Sequence, residues 1–336
     1  MRGALRVECV FPEATKGDEV ERRGGGCLTA VAVVLGLALV ALGAGLLWLV
    51  SSGGAPVPAS IASEGAEVEP KPFSEYSWKE LAEVARLVAA APSDEEGVAL
   101  AEEYGVGVGA TRPLALDDGR QATLTVVGVR ADERADGSGV TGLTLMASPI
   151  AVRPMNSTDT NAGGWEASEL RAWLDTEGSA LLPDVLADAV VAVSKSTNNA
   201  GVSSDAAAVT QTSDRLWLFS ASEVCGAPGW FTQEYGEEPN AYTGYVDFSV
   251  YDDILAAEGE QYAYFADAGV SGSSDPGHVL ALDWAGVDVA WWYRTSYPYS
   301  FTGEDASYFY QVMASGYPST TALASTEAGV TVGLCL

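Results

Sequence analysis

Residues that carry most enzymatic chemistry are scarce in this sequence. His278 is the only histidine, and it lies in the stretch SDPGHVLALDW. A Ser-His-Asp triad would need this histidine, yet no nucleophile motif of the form G-x-S-x-G occurs in the chain. A single histidine also argues against a zinc or copper centre, which usually takes several cysteine and histidine ligands. We therefore expect no catalytic residues and no transition-metal cofactor.

Two of the four cysteines, Cys225 and Cys335, lie in the C-terminal part of the chain. Two cysteines of an exported domain meet an oxidising compartment and can form a disulfide. Two buried free thiols are the alternative, and the spacing of the residues along the chain does not decide between them.

Calcium is the metal ion that the sequence comes closest to supporting. Asp132 and Asp136 lie in DERADGSG, where acidic residues lead into a glycine-containing turn. However, Arg134 occupies the third ligand position of an EF-hand loop, and Leu143 the twelfth, where a bidentate glutamate belongs. A solvated hairpin turn is the favoured interpretation, with Asp132 and Asp136 as the calcium candidates.

Aromatic and small polar residues are concentrated in two segments, residues 229–253 and 291–301. Tyrosine, tryptophan, serine, glycine and asparagine are typical of adaptable contact surfaces. At least half of these aromatic residues are expected to fill the core instead. The ligand-binding candidates are Trp230, Tyr242, Tyr245, Tyr297 and Tyr299.

Residues 28–50 (LTAVAVVLGLALVALGAGLLWLV) are almost wholly apolar. A helix of this length spans about 35 Å, enough to cross a bilayer. Arg22 and Arg23 precede it, whereas the next basic residue is Lys71, which predicts a cytoplasmic N-terminus and an extracellular remainder. An uncleaved signal-anchor in a bacterial cell membrane is favoured over a signal peptide cleaved after Ser60-Ile61-Ala62.

Composition and periodicity divide the chain into five regions. We predict a cytoplasmic segment (1–25), a transmembrane helix (26–50), a flexible linker (51–73), a helical hairpin (74–105) and a main domain (106–336). Short β-rich runs such as TLTVVGV, GLTLMAS and RLWLFS alternate with short helices and long loops in the main domain. This pattern predicts an α+β fold. The net charge of −29 makes nucleic acid an improbable partner.

The segment NAGGWEASELRAWLDTEG, residues 161–178, predicts a short amphipathic helix rather than an active site. Ser168 is a suitable N-cap, and Leu170, Trp173 and Leu174 share one helical face. We expect this face to pack on a sheet and the tryptophans Trp165 and Trp173 to belong to the core, as does Trp217 in RLWLFS.

The run MNSTDTNAGGWEASELRAWLDTEG, followed by TSDRLWLFSASEV, EGEQYAYF, WWYRTS and GVTVGLCL, resembles the DUF6273 family of bacterial exported domains. The likeness begins near Arg112. This family is in turn similar to the C-type-lectin-like group, which includes formylglycine-generating enzymes. The resemblance implies a lectin-like α+β domain whose ends meet in one sheet, with long loops on one side. It places Trp291, Trp292 and Arg294 in or near the core, and Thr331 where family members often have arginine.

These observations favour a membrane-anchored extracellular recognition domain without catalytic activity. Its ligand would be a glycan or a protein, with calcium as an optional cofactor. Two alternatives stay open: an envelope glycan hydrolase that uses carboxylates, and a structural envelope scaffold.

Overall fold

The computed structural model describes residues 68–241, 244–300, 302 and 306–336. Two helices come first, α1 (Trp78–Ala89) and α2 (Asp94–Glu103). Ser77 and Glu80 form a capping box at the start of α1, because each side chain accepts a hydrogen bond from the other residue's main-chain N–H. The buried face of α1 packs into the same hydrophobic core as the strands that follow.

Short helices and strands alternate after α2. The remaining helices are α3 (Glu169–Trp173), α4 (Asp184–Ala189), α5 (Ala221–Cys225), α6 (Trp230–Tyr235), α7 (Ser249–Ala256) and α8 (Ala263–Asp267). The strands are β1 (Thr111–Ala115), β2 (Gln121–Val129), β3 (Leu143–Ala147), β4 (Val152–Arg153), β5 (Val193–Asn198), β6 (Val209–Asp214), β7 (Leu216–Leu218), β8 (Leu282–Trp284), β9 (Val287–Val289), β10 (Trp291–Ser296), β11 (Tyr308–Val312), β12 (Thr320–Leu323), β13 (Ala328–Gly329) and β14 (Val332–Cys335). Helices and mostly antiparallel strands make the described part an α+β fold.

The first five-stranded sheet has the order β1-β2-β3-β14-β7. Strand β14 is antiparallel to both of its neighbours, β3 and β7. All residues of β3 and β14 are buried, as expected for strands covered on both faces. The last strand of the chain therefore lies inside the sheet that the first three strands begin.

The second five-stranded sheet has the order β12-β11-β10-β13-β4. All six residues of its central strand β10 are buried. Trp291 and Trp292 are consecutive, so their side chains leave β10 on opposite faces. Trp292 belongs to the hydrophobic cluster around the first sheet, and Trp291 to a second cluster that is rich in aromatic residues. Strand β10 thus forms part of both clusters.

Helix α3 begins where the sequence predicts, because the Ser168 hydroxyl accepts a hydrogen bond from the Arg171 N–H at 3.1 Å. It continues as one π-helical turn, Leu174–Gly178. The predicted core residues that are fully buried are Trp165, Leu170, Leu174, Trp217, Trp291, Trp292 and Arg294. Trp173 is only half-buried. Its ring stacks against the Arg153 guanidinium, and its indole N–H donates to Glu177.

The predicted fold class included an N-terminal transmembrane helix, and this part needs correction. No helix in the described ranges, from residue 68 on, is long and apolar enough to cross a membrane. The predicted membrane segment at residues 28–50 lies outside the described residues. The N-terminal regions 1–25 and 51–67 lie outside them as well.

Gly333 gives a direct test of the central position of β14. A Cβ atom at this position would lie 2.5 Å from Cε2 of the Trp217 indole. We expect Gly333→Ala to lower the free energy of unfolding by about 1–3 kcal/mol, because the ring or the strand must move. Urea denaturation measures this loss. Trp217→Phe should recover part of it in a double-mutant cycle, and strictly additive effects would contradict the contact.

Candidate functional site

An open cleft of about 490 Å³ lies beside α6, the residue after β10 and the β11–β12 hairpin. We call it the aromatic cleft. It is lined by five aromatic rings, three hydroxyl side chains and one carboxylate: Trp230, Phe231, Glu234, Tyr235, Tyr297, Tyr310, Ser319, Thr320 and Thr321. Apolar walls with a few polar groups are typical of ligand sites.

The rings of the aromatic cleft pack against one another. Trp230 and Tyr310 have ring centroids 4.5 Å apart, and Tyr297 lies 5.6 Å from Tyr310. Phe231 lies 5.4 Å from Tyr297 on the other side. Tilted and edge-on contacts at such distances stabilise aromatic pairs beyond the area they bury. The wall of the cleft is therefore formed before any ligand arrives.

Helix α6 is fixed at its N-terminus by a carboxylate from α7. Asp252 accepts hydrogen bonds from the main-chain N–H groups of Phe231 at 2.9 Å and Thr232 at 2.8 Å. These groups have no partner within the helix, and a negative charge there is favourable. The Trp230 indole N–H donates to the Gly272 carbonyl at 2.6 Å. Hydrogen bonds thus hold both the start of helix α6 and the side chain of Trp230, its first residue.

Glu234 is the one charged side chain among the residues that line the aromatic cleft. Burial raises the pKa of Tyr297 to about 12, and the nearby Glu234 carboxylate acts in the same direction. Burial, followed by a hydrogen bond with Glu234, also raises the pKa of Tyr235. Both phenols stay neutral at physiological pH, so the cleft presents neutral rings and a single negative charge.

The predicted ligand-binding residues are only partly brought together. Trp230 and Tyr297 line the aromatic cleft. Tyr299 does not line the cleft and instead packs edge-on against Phe248. Tyr245 is 72% exposed and does not line the cleft. Tyr242 lies outside the described residues.

Sequence reasoning missed several of the lining residues, above all Phe231, Tyr235 and Tyr310. Phe231 and Tyr235 are one helical turn apart in α6, a spacing that places them on one face. That periodicity was available in the sequence. Tyr310 joins them only through the pairing of β11 with β10, which the sequence does not specify.

A buried network of charges lies below a second opening in the surface. The Lys195 ammonium contacts Asp132, and it donates to Glu223 at 2.9 Å and to the Tyr262 hydroxyl at 2.6 Å. Arg294 is fully buried and donates to Glu223 at 3.0 Å. We call these five residues the buried charge network.

The charges in the network stabilise one another. Burial disfavours the ionised form of Glu223, but the Arg294 and Lys195 cations outweigh it and hold the pKa of Glu223 below its usual value. Burial opposes the charge of Lys195 as well, yet Asp132 and Glu223 raise the pKa of Lys195. Asp132, Lys195, Glu223 and Arg294 are therefore all ionised at neutral pH.

The opening above this network, about 440 Å³, is lined by Asp132, Lys195, Glu223, Glu258 and Tyr262 among others. Glycoside hydrolysis needs two carboxylates free to face a substrate. Asp132 and Glu223 are both ion-paired with Lys195. Glu258 accepts hydrogen bonds from the Asn198 N–H at 2.9 Å and from Thr295. Each of these buried carboxylates already has partners.

The calcium candidates differ in environment. Asp132 is buried and committed to Lys195 and to the Thr144 hydroxyl. Asp136 is exposed and accepts from the Ser138 N–H at 3.0 Å, as in a solvated turn. From residue 68 on, the described residues contain no group of three or more acidic, cysteine or histidine side chains suited to a metal ion. The calcium hypothesis therefore gains no support here.

Cys225 and Cys335 are both buried free thiols in this structure, the second of the two alternatives that the sequence leaves open. They belong to different hydrophobic clusters and have different neighbours. The Cys225 thiol lies 3.5 Å from the Tyr293 hydroxyl, whereas the Cys335 thiol lies 3.4 Å from Asp132. Burial raises the pKa of Cys225 to about 12, which makes it a poor nucleophile.

Lys195→Met tests the buried charge network. It leaves Asp132 without its cation, and an uncompensated buried charge typically costs about 3–5 kcal/mol. We expect chemical denaturation to show a loss of that size. Lys71→Met is the matched control, because its ion pair with Glu80 is partly exposed and should contribute about 0–1 kcal/mol. Equal losses in both variants would contradict the role of Lys195.

Glu258 predicts a pH dependence of stability. Burial raises the pKa of Glu258 from 4.5 to about 7, despite the nearby Arg294. Between these pH values the unfolded chain releases the proton first, so this group lowers stability as pH rises, by about 3 kcal/mol in total. Below pH about 4.5 both states keep the proton and the contribution is fully present.

We therefore expect Glu258→Gln to flatten the fall in unfolding free energy between pH 4.5 and 7. Thermal or urea unfolding across that range measures the slope. Glu260→Gln, at an exposed neighbouring position, controls for the loss of one carboxylate. An unchanged slope in Glu258→Gln would show that burial does not perturb this group.

Comparison with known protein families gives a match over the C-terminal part of the chain. The model of the "Domain of unknown function (DUF6273)" matches residues 141–336, which is more than half of the chain. It begins at Thr141 rather than near Arg112, and it includes every residue that lines the aromatic cleft. No curated protein and no solved structure matches the chain. The expected relationship to C-type-lectin-like folds is therefore not shown.

Proposed function

Because the chain belongs to the DUF6273 family, whose function is unknown, we propose a function from the geometry of its site. The protein is a recognition domain that holds its ligand in the aromatic cleft. The observation that carries this proposal is the packed wall of Trp230, Phe231, Tyr297 and Tyr310 beside partly exposed hydroxyl side chains. Rigid aromatic side chains offer contact area at little cost in conformational entropy.

Preorganisation of the cleft supports a binding role. A ligand that meets a wall already held by Asp252 and by the Trp230–Gly272 hydrogen bond need not order these side chains on binding. The hydroxyl groups of Ser319, Thr320 and Thr321 can then fix the orientation of the ligand. Large rings give affinity and small hydroxyls give specificity.

The same cleft supports binding better than turnover. Glu234 is the single carboxylate among its lining residues, whereas acid–base hydrolysis of a glycan uses two carboxylates. The tyrosines are unsuited to proton transfer near neutral pH, because burial raises the pKa of Tyr297 to about 12. A recognition role makes no such demand on either group.

Removal of one ring tests the proposal. The full-length chain is applied to a glycan array and to a peptide array, and the affinity for each bound probe is measured by titration. We expect Tyr297→Ala and Tyr235→Ala to weaken binding at least about tenfold, as for residues at the centre of an interface. Tyr245→Ala is the matched control, because this tyrosine is exposed and lies outside the cleft lining.

Thermal unfolding of each variant separates lost contacts from lost folding. The proposal fails if neither array shows saturable binding. It also fails if Tyr245→Ala weakens binding as much as Tyr297→Ala while all variants remain folded.

A further inference from the structure

Strand β12 forms one border of the second sheet and of the aromatic cleft. Among the described residues it pairs with β11 alone. Its sequence, TTAL, contains no charged residue and no proline, and its pairing has no bulge. Proteins commonly use charged residues, prolines or bulges to protect an edge strand against pairing with another chain. Strand β12 lacks all three of them.

The register shows which main-chain groups face outward. The Ala324 N–H donates to the Ser307 carbonyl at 2.8 Å, just beyond the pairs Leu323–Tyr308 and Thr321–Tyr310. Hydrogen-bonded and non-hydrogen-bonded pairs alternate along an antiparallel ladder. Thr321 therefore belongs to a non-hydrogen-bonded pair, and its N–H and carbonyl point away from β11. They are available to an additional strand.

The cleft lies on the face of the hairpin that carries the Thr321 side chain. Thr321 is directly opposite Tyr310, and both line the aromatic cleft. Two residues along each strand, Leu323 and Tyr308 are opposite one another on the same face and are 38% and 36% exposed. In a strand added beside β12, the residue opposite Thr321 would direct its side chain into the cleft.

Exposed apolar side chains are concentrated on this hairpin. In the described ranges, eight large hydrophobic side chains are exposed, and four of them lie on or between β11 and β12: Tyr308, Met313, Tyr317 and Leu323. Such a concentration marks an interaction surface rather than scattered surface apolarity. It extends the contact area beyond the aromatic cleft.

Charge decides which side chain enters the cleft. Glu234 is the charged group of the lining, and the whole chain carries a net charge of −29. A lysine or arginine can pair with Glu234 while its cation lies beside the ring of Tyr297, another residue of the cleft lining. An acidic side chain would be repelled both by Glu234 and by the overall field.

We propose that the partner is an extended basic peptide segment that adds a strand to the outer edge of β12, the edge away from β11. Its lysine or arginine, opposite Thr321, occupies the aromatic cleft, and an apolar residue two positions away packs on Leu323. Main-chain hydrogen bonds to Thr321 supply affinity, and the cleft selects the side chain. This inference rests on the proposed function in using the same cleft, but it names the ligand class.

The first experiment uses one synthetic peptide, Ser-Val-Thr-Lys-Thr-Val-Ser with blocked ends, and the full-length chain. Its alternation suits either strand direction. We expect the lysine peptide to bind at least tenfold tighter than versions with glutamate or norleucine in place of lysine. Glu234→Gln should weaken binding of the lysine peptide about tenfold and leave the norleucine peptide unchanged. An equal effect on both peptides would overturn the assignment of Glu234.

The second experiment tests strand addition first with methylated peptides and then with one variant of the protein. Each main-chain nitrogen of the lysine peptide is methylated in turn, which removes one donor at a time. We expect loss of binding at alternate positions, because only every second N–H of an edge strand faces its neighbour. Uniform tolerance of methylation would overturn strand addition. Thr321→Pro, which removes an outward N–H that β11 does not use, should also abolish binding.

The outcomes separate this inference from the proposed function. If the lysine peptide fails while a glycan binds in a manner lost in Tyr297→Ala, the recognition role stands and the basic-peptide inference is wrong. If the peptide binds and the methylation pattern alternates, both stand. If the peptide binds equally well to Tyr297→Ala, the aromatic cleft is not its site and the inference is wrong.

Discussion

The hydrogen bonds and ion pairs of the Glu223 carboxylate are the interactions on which the rest of the structure depends. This carboxylate closes the capping box of α5, because it accepts from the Ser220 N–H while the Ser220 hydroxyl accepts from the Glu223 N–H. The same carboxylate pairs with Lys195 of β5 and Arg294 of β10. One buried group therefore joins a helix, a two-stranded sheet and the central strand of the second sheet. A buried carboxylate without these cations would be strongly unfavourable, so the three elements are mutually dependent.

The buried charge network also positions the walls of the aromatic cleft. Arg294 lies three residues before Tyr297, so fixing its guanidinium fixes the end of β10 from which Tyr297 projects. Helix α5 ends at Cys225, and the short connection after it leads directly to Trp230 at the start of α6. Both walls of the cleft are thus anchored within a few residues of Glu223 or its partners. A buried network whose charges are all paired can hold an adjacent cleft rigid.

Local signals allowed much of the architecture to be predicted. The Ser168 cap and the spacing of Leu170 and Leu174 indicate α3, and a β-branched run indicates β2, because both patterns act over a few residues. The residues of the candidate site were harder to predict from the sequence. Tyr245 and Trp230 belong to the same tyrosine-rich segment, yet only Trp230 faces the cleft, because helix α6 and the partner strand β11 select it. The pairing of Lys195 with Glu223 depends on the arrangement of β5 and α5 in space. Hydrophobic periodicity in the sequence does not indicate that arrangement. A lysine inside a β-rich run was the available hint that a buried counter-charge must exist.

Charge acts on this surface at two distances. The overall excess of acidic residues attracts cations from afar, and salt screens that attraction within about 10 Å. At the aromatic cleft Glu234 is itself exposed, and it acts at close range as the single charged group among the lining residues. The neutral phenols of Tyr235 and Tyr297 add no competing negative charge, since burial raises the pKa of both. Attraction of cations from a distance is thus a property of the whole chain. The proposed preference for a cation carried on an extended main chain would come from the outer edge of β12.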